Sequence, residues 1–111
     1  MHELSLAMSI LDIAAEESIR HGGANVRAIH INLGPLAGVA REALASAFEL
    51  ARESSGIELV ICDVPVRIHC PRCGEERAIV SLQEFCCAEC GTASAEVTQG
   101  REMLIIAMEI E

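Results

Sequence analysis

The chain contains no tryptophan or tyrosine and only two phenylalanines in 111 residues. Any core must therefore be built from Ile, Leu, Val, Ala and Met, and there are no aromatic platforms for stacking unpaired bases. Positive charge is also scarce, with eight Lys and Arg against seventeen Asp and Glu, a formal net charge of −9. Such a chain repels phosphate backbones and gains nothing from counterion release, which argues against nucleic acid as a partner. A cation or a basic protein is the more natural ligand. The longest apolar run, Met103 to Met108, falls far short of the roughly 20 residues a membrane span needs, so no membrane association is expected. No basic segment followed by an apolar stretch and cleavage site opens the chain. A cytoplasmic protein is therefore expected. A nucleophile elbow, a phosphate loop and a carboxylate pair of defined spacing are absent too, and the expectation is that the chain is not an enzyme. A nucleotide-driven step would have to come from a partner.

Periodicity supplies the frame. Leu4, Met8, Leu11, Ala15 and Ile19 recur at helical spacing, widened by Ile10, Ile13 and Ala14. Ser5, Ser9, Asp12, Glu16 and Arg20 form the polar side, and Gly22-Gly23 supply the stop. Residues 26–34 alternate, with Ile29, Ile31 and Leu33 on one face and Ala28, His30 and Asn32 on the other, as in a half-buried strand. A second helix is expected from Leu36 onward, with Leu36, Val39/Ala40, Ala43/Leu44, Ala47/Phe48 and Ala51 as its buried stripe and Gly56 as its end. Residues 57–69 read as one long strand bent or edged at Pro65, with Cys62 as a core residue. The C-terminal stretch from Arg101 reads as a last strand.

Five of the six cysteines fall between positions 70 and 90. Cys70-x2-Cys73 and Cys87-x2-Cys90 form two similar knuckles, each followed by a glycine (Gly74, Gly91). A glycine there lets the chain turn back with positive φ, so that amides can face sulfur. Two such turns bring four thiolates onto one ion at about 2.3 Å, which saturates zinc and leaves no position for water. The zinc would be structural. An iron tetrathiolate of rubredoxin type and a cluster of reduced, packed cysteines are the alternatives. Cys86 beside Cys87 blurs the register, and Cys87 keeps the symmetric spacing. His69 precedes the first knuckle and reads as a solvated neighbour, His21 as part of a helix C-terminus, and His30 as outward-pointing.

The start of the chain, Met-His-Glu, raises a second metal question. A terminal amine, the amide of residue 2 and the imidazole of His2 can chelate one ion in fused rings, a donor set suited to nickel(II) or copper(II). On its own this pattern is weak. Together with "INLGPLAGVAREALASAFEL", the paired knuckles and "TQGREMLIIAMEIE", however, it resembles the HypA/HybF family over essentially the whole chain. These are nickel metallochaperones of [NiFe]-hydrogenase maturation. The resemblance implies nickel, Ni(II), at His2 with backbone nitrogens around Met1, His2 and Glu3, and structural zinc, Zn(II), at Cys70, Cys73, Cys87 and Cys90. It further implies the nickel-binding GTPase HypB as partner and the [NiFe]-hydrogenase large subunit as recipient. The rival functions are a zinc-ribbon interaction adaptor, with His2 incidental, and a rubredoxin-like electron carrier.

The expected fold is α+β. Two helices pack on a sheet of about three strands, and a zinc-ribbon-like module is inserted between two strands of the body. The boundaries expected are 1–65 and 98–111 for the discontinuous nickel-binding domain, and 66–97 for the zinc-binding insertion.

Overall fold

The computed structural model describes residues 2–111. Its elements run α1 (Glu3–Arg20), β1 (Val26–Leu33), α2 (Arg41–Arg52), β2 (Glu58–Asp63), β3 (Arg67–Cys70), β4 (Glu75–Ser81), β5 (Glu84–Cys87), β6 (Val97–Gln99) and β7 (Met103–Ile110). The strands form a three-stranded sheet in the order β2-β1-β7 and a four-stranded sheet in the order β5-β4-β3-β6. The α+β class, with two helices, a small sheet and a separate cysteine-bearing sheet, is the fold expected from the sequence.

Two compact units divide the chain. The first holds the described residues up to Asn32 with Gly38–Cys62 and Leu104–Glu111; the second holds Leu33–Ala37 and Asp63–Met103. In the first unit α1 packs against α2. Its core is Ala7, Ile10 and Ala14 of α1, Leu44 and Phe48 of α2, and Val26, Ala28, Ile29 and Ile31 of β1. Each large side chain taken fully out of water there contributes about 1.5–3 kcal/mol. On β1 the alternation holds from Ile29 onward, with Ile29 and Ile31 fully buried and His30 and Asn32 half-buried, but Ala28, expected on the outer face, is buried as well. Here His30 Nε2 lies 2.6 Å from Glu109 Oε2 of β7, so this ring is tied to a neighbouring strand and does not simply face water.

Four details depart from the sequence reading. The stripe expected to be buried on α1 is largely exposed: Leu4, Met8 and Ile19 are open to solvent, and the buried line is Ala7, Ile10 and Ala14. Ile10 and Ala14 belong to the widened face expected from the sequence, and the packing of α1 against α2 adds Ala7 and turns the burial toward that side of the stripe. The second helix begins at Arg41, because Gly38 takes φ +78 and Ala40 is extended at ψ 124; residues 34–40 are a loop. The long strand expected over 57–69 is two strands, β2 and β3, in different sheets, broken around Pro65, where no backbone N–H exists to continue a ladder. Finally, Cys62 is exposed and not a core residue, on a strand at the edge of the three-stranded sheet.

The helix terminus expected at Gly22-Gly23 is in place. His21 is the C-cap residue, and Gly22 and Gly23 take φ of 73° and 86°. The Gly23 amide donates back to the Ser18 carbonyl at 2.8 Å, closing the last turn.

Candidate metal centre

The four-stranded sheet exists to bring two turns together. β3 ends on Cys70, and its antiparallel partner β4 begins at Glu75 directly opposite, so Cys73 and Gly74 lie in the tight connection between them. β5 ends on Cys87, and the next turn carries Cys90 and Gly91. The two knuckles are near copies in their hydrogen bonding. Gly74 N–H donates to the Cys70 carbonyl and Gly91 N–H to the Cys87 carbonyl, both at 2.8 Å. Both glycines have positive φ, 72° and 77°, as the spacing required. The Cys73 amide points at Cys70 Sγ, 3.4 Å away.

All four ligand atoms, the Sγ of Cys70, Cys73, Cys87 and Cys90, lie within 4.8 Å of one another. The separations are 3.5 Å for Cys70–Cys90, 3.7 Å for Cys73–Cys90 and 3.9 Å for Cys73–Cys87. A tetrahedron with zinc–sulfur bonds of about 2.3 Å has edges of about 3.8 Å, so the thiols already stand at the spacing zinc requires. None of them is in a disulfide. Cys70 and Cys87 are buried and Cys73 and Cys90 half-buried, a closed cluster and not a cleft. The adjacent Cys86 is outside the group, its strand position bridging instead to Ala93. His69 is outside it as well; its backbone is engaged by the Glu96 carbonyl and the Ser94 hydroxyl.

Two further residues touch the cluster that the spacing of cysteines did not reveal. Thr92 Oγ1 lies 3.2 Å from Cys90 Sγ. Hydrogen bonding with Thr92, through its hydroxyl and its backbone, pulls the Cys90 thiol down to about 6. At Cys73 the Arg77 guanidinium pulls in the same direction, but desolvation and the three neighbouring thiols outweigh it, and the thiol is pushed up to about 11. A divalent ion accepts all four as thiolates. The donor set fits a structural zinc ion, which would tie the two knuckles together and supply folding free energy, with no reactive position left open.

At the other candidate site, His2 is exposed and immediately precedes α1. It adopts φ 53 and ψ 24, a left-handed conformation unusual for a side-chain-bearing residue, and its imidazole makes no capping hydrogen bond. Its carbonyl accepts the first helical bond, from Leu6 N–H at 3.0 Å. Glu3 follows as the acidic residue of the first turn. The expected contribution of the Met1 backbone lies outside the described residues.

A protein-family model described as hydrogenase/urease nickel incorporation, metallochaperone, hypA, matches residues 1–110. The chain is 37% identical over 114 residues to the hydrogenase maturation factor HypA of Roseiflexus sp. (strain RS-1), covering 100% of this chain and 93% of that one. It is 38% identical over 114 residues to the hydrogenase maturation factor HypA of Cereibacter sphaeroides, covering 100% of both. Among solved structures it is similar to a solution structure of HypA protein, with a TM-score of 0.71 and 26% identity over 100% of this chain and 97% of the other. It also shares its fold with the solution structure of the Ni metallochaperone HypA from Helicobacter pylori, with a TM-score of 0.66 and 24% identity over 99% and 97% of the two chains.

Proposed function

The chain belongs to the HypA family of nickel-incorporation metallochaperones, and on that premise we propose that it carries nickel(II) on its first three residues for hydrogenase maturation. The ligands are the His2 imidazole and backbone nitrogens of Met1, His2 and Glu3. The observation that carries this reading is the exposed, uncapped His2 held in a left-handed turn ahead of α1. Its carbonyl is fixed by the helix, while its ring is left without a capping role. Nickel needs planar nitrogen donors, and a chain end is one place where backbone nitrogens are free of secondary structure.

The helix adds a second physical element. Its N-terminus carries a partial positive charge, which favours the anionic donors made when amides lose their protons and disfavours the cation itself. The two effects oppose each other at this point, which suits a cargo that must be held and then released. Zinc at Cys70, Cys73, Cys87 and Cys90 has the opposite character, enclosed by four thiols on turns that the strands fix. The chain is a carrier in this reading and not an enzyme. Energy for the transfer comes from the nickel-binding GTPase HypB, the [NiFe]-hydrogenase large subunit receives the metal, and the work is done in the cytoplasm.

The deciding experiment is equilibrium dialysis of the zinc-loaded protein against limiting nickel, for the native chain and His2→Ala. One exchangeable nickel per native chain, lost in His2→Ala with zinc content unchanged, is the expected result. Full nickel stoichiometry in His2→Ala would remove His2 from the site.

A further inference from the structure

Among the described residues, Arg77 carries the one buried side-chain nitrogen or oxygen without a hydrogen-bond partner. The β3–β4 register sets it opposite Ile68, one rung pair away from Cys70 opposite Glu75. Directly opposed residues of an antiparallel pair project to the same face, and Ile68 and Cys70 are both fully buried. Arg77 therefore starts on the inner face, alongside the cysteine turns. One end of its guanidinium, Nη2, reaches outward to Glu75 Oε2 at 3.3 Å. The other end does not. Its Nε is fully buried and has no hydrogen-bond partner among the protein atoms. The Cys73 thiol is the neighbour of the guanidinium within the cysteine cluster.

A permanently charged group is rarely placed beside apolar strands with a donor left unpaired, because guanidinium cannot escape the cost by losing its proton. The cost disappears if an anion stands there. Zinc bound by four thiolates is a dianion, and one guanidinium halves its charge. Hydrogen bonds to thiolate ligands orient them and tune how tightly the metal is held.

From this geometry we infer that Arg77 is a positioning residue of the zinc site: its guanidinium is the counter-ion of the loaded tetrathiolate and its buried N–H edge hydrogen-bonds a ligand sulfur, which slows loss of the metal. The inference rests on the zinc reading of the cluster. Glu75 holds the outer end of the fork and so aims the inner end.

The test compares native protein, Arg77→Met and Arg77→Lys, each zinc-loaded, by the rate of zinc transfer to excess EDTA. The same three are examined with cobalt(II) in place of zinc, for the energy of the thiolate-to-metal charge-transfer bands. Arg77→Met is expected to release zinc about tenfold faster or more. Its bands should lie at lower energy, since sulfur relieved of a hydrogen bond is the better electron donor. A purely structural role would leave the bands in place, so faster release with native bands overturns the inference, as does a native rate. If Arg77→Met takes up no metal, Arg77→Lys decides. Displaced bands and faster release, in a variant that keeps the charge but loses the fork, uphold the proposal, and native bands and rate refute it. Zinc analysis of the native chain separates the two levels: a native protein that binds no zinc would fail the site itself, before Arg77 is in question.

Discussion

Gly34 and Gly100 meet backbone to backbone: a Cβ placed on Gly34 would overlap the Gly100 carbonyl. Two hydrogen bonds lock the approach, from Gly34 N to the Glu102 carbonyl and from Leu36 N to the Gly100 carbonyl, each 2.8 Å. Gly100 in turn sits at φ +122 against Val66. The loop after β1 and the stretch before β7 thus share one seam within the second unit.

The first prediction follows from that seam. Gly34→Ala has no space and must push backbone from backbone, so it should cost about 3 kcal/mol of stability, the upper end for overpacking. Gly38, four residues on, has φ +78 and nothing near its missing Cβ. Gly38→Ala should lose only the left-handed strain of about 1 kcal/mol. Urea unfolding of both zinc-loaded variants measures the difference. Equal losses would mean that the close contact at Gly34 is not what fixes the residue.

A second prediction concerns register in the cluster. Cys73→Ser and Cys87→Ser should each lose zinc and disorder the strands β3 to β6, since the ion joins turns that have few other core side chains. Helices α1 and α2, with Phe48 and Leu44 of α2 buried in their own unit, should keep their circular dichroism signal. Cys86→Ser should keep zinc. Zinc loss from Cys86→Ser equal to that from Cys87→Ser would reassign the ligand.

The cysteine turns were legible because metal chemistry imposes a fixed spacing and a glycine after each pair, and nothing distant can alter that. The strand alternation around Ile29 and Ile31 was legible for a similar reason, since period two leaves only two faces. Helix α1 was legible in part. Ile10 and Ala14 lie on the apolar face read from the sequence, but the burial of Ala7 in place of Leu4, Met8 and Ile19 depends on how α2 packs, which is tertiary information. The start of α2 was missed because "GPLAGVA" carries a helical spacing that Gly38 overrides with its backbone. Pro65 reads in the sequence as a bend, but that pairing ends in one sheet before it and begins in another after it is decided by partners far along the chain. Thr92 and Arg77 left no signal in the sequence at all, because a residue that tunes a ligand needs only to be near it in space.

The third prediction is electrostatic. The Glu76 carboxylate accepts hydrogen bonds from Thr98 Oγ1 at 2.6 Å and Arg67 Nε at 3.0 Å, linking β4, β6 and β3. The Thr98 hydroxyl first, and then Arg67, hold its carboxyl below the usual carboxylate range. For a depressed carboxyl the sign is fixed: its contribution to stability is present above the unfolded value of about 4.3 and is lost as pH falls through the lower folded value. A carbon-13 NMR titration of the Glu76 carboxyl should give a midpoint under the unfolded value, and Thr98→Val should raise it. A midpoint that ignores Thr98→Val would show that the hydroxyl does not hold the charge.

The last prediction uses the position of the nickel ligands, and no internal site would pass its test. The His2 carbonyl is pinned by Leu6 N–H at 3.0 Å, so the backbone at residue 2 is oriented by the helix whatever precedes it. If the free amine of Met1 is a nickel donor, a Gly-Ser leader turns it into an amide, which must lose a proton to bind and so competes less well near neutral pH. The leader also adds chain at a site where nickel requires planar donors. Nickel affinity should therefore fall and the absorption bands should move, while zinc content and unfolding stay as they were, because the cysteine turns belong to the other compact unit. A C-terminal leader of the same composition, placed after Glu111, should leave nickel binding unchanged. The measurement is a nickel titration, followed by absorption, of zinc-loaded protein with and without each leader. Identical affinity and bands with the N-terminal leader would exclude the amine, and would leave the His2 ring and the amides of His2 and Glu3 as the donors.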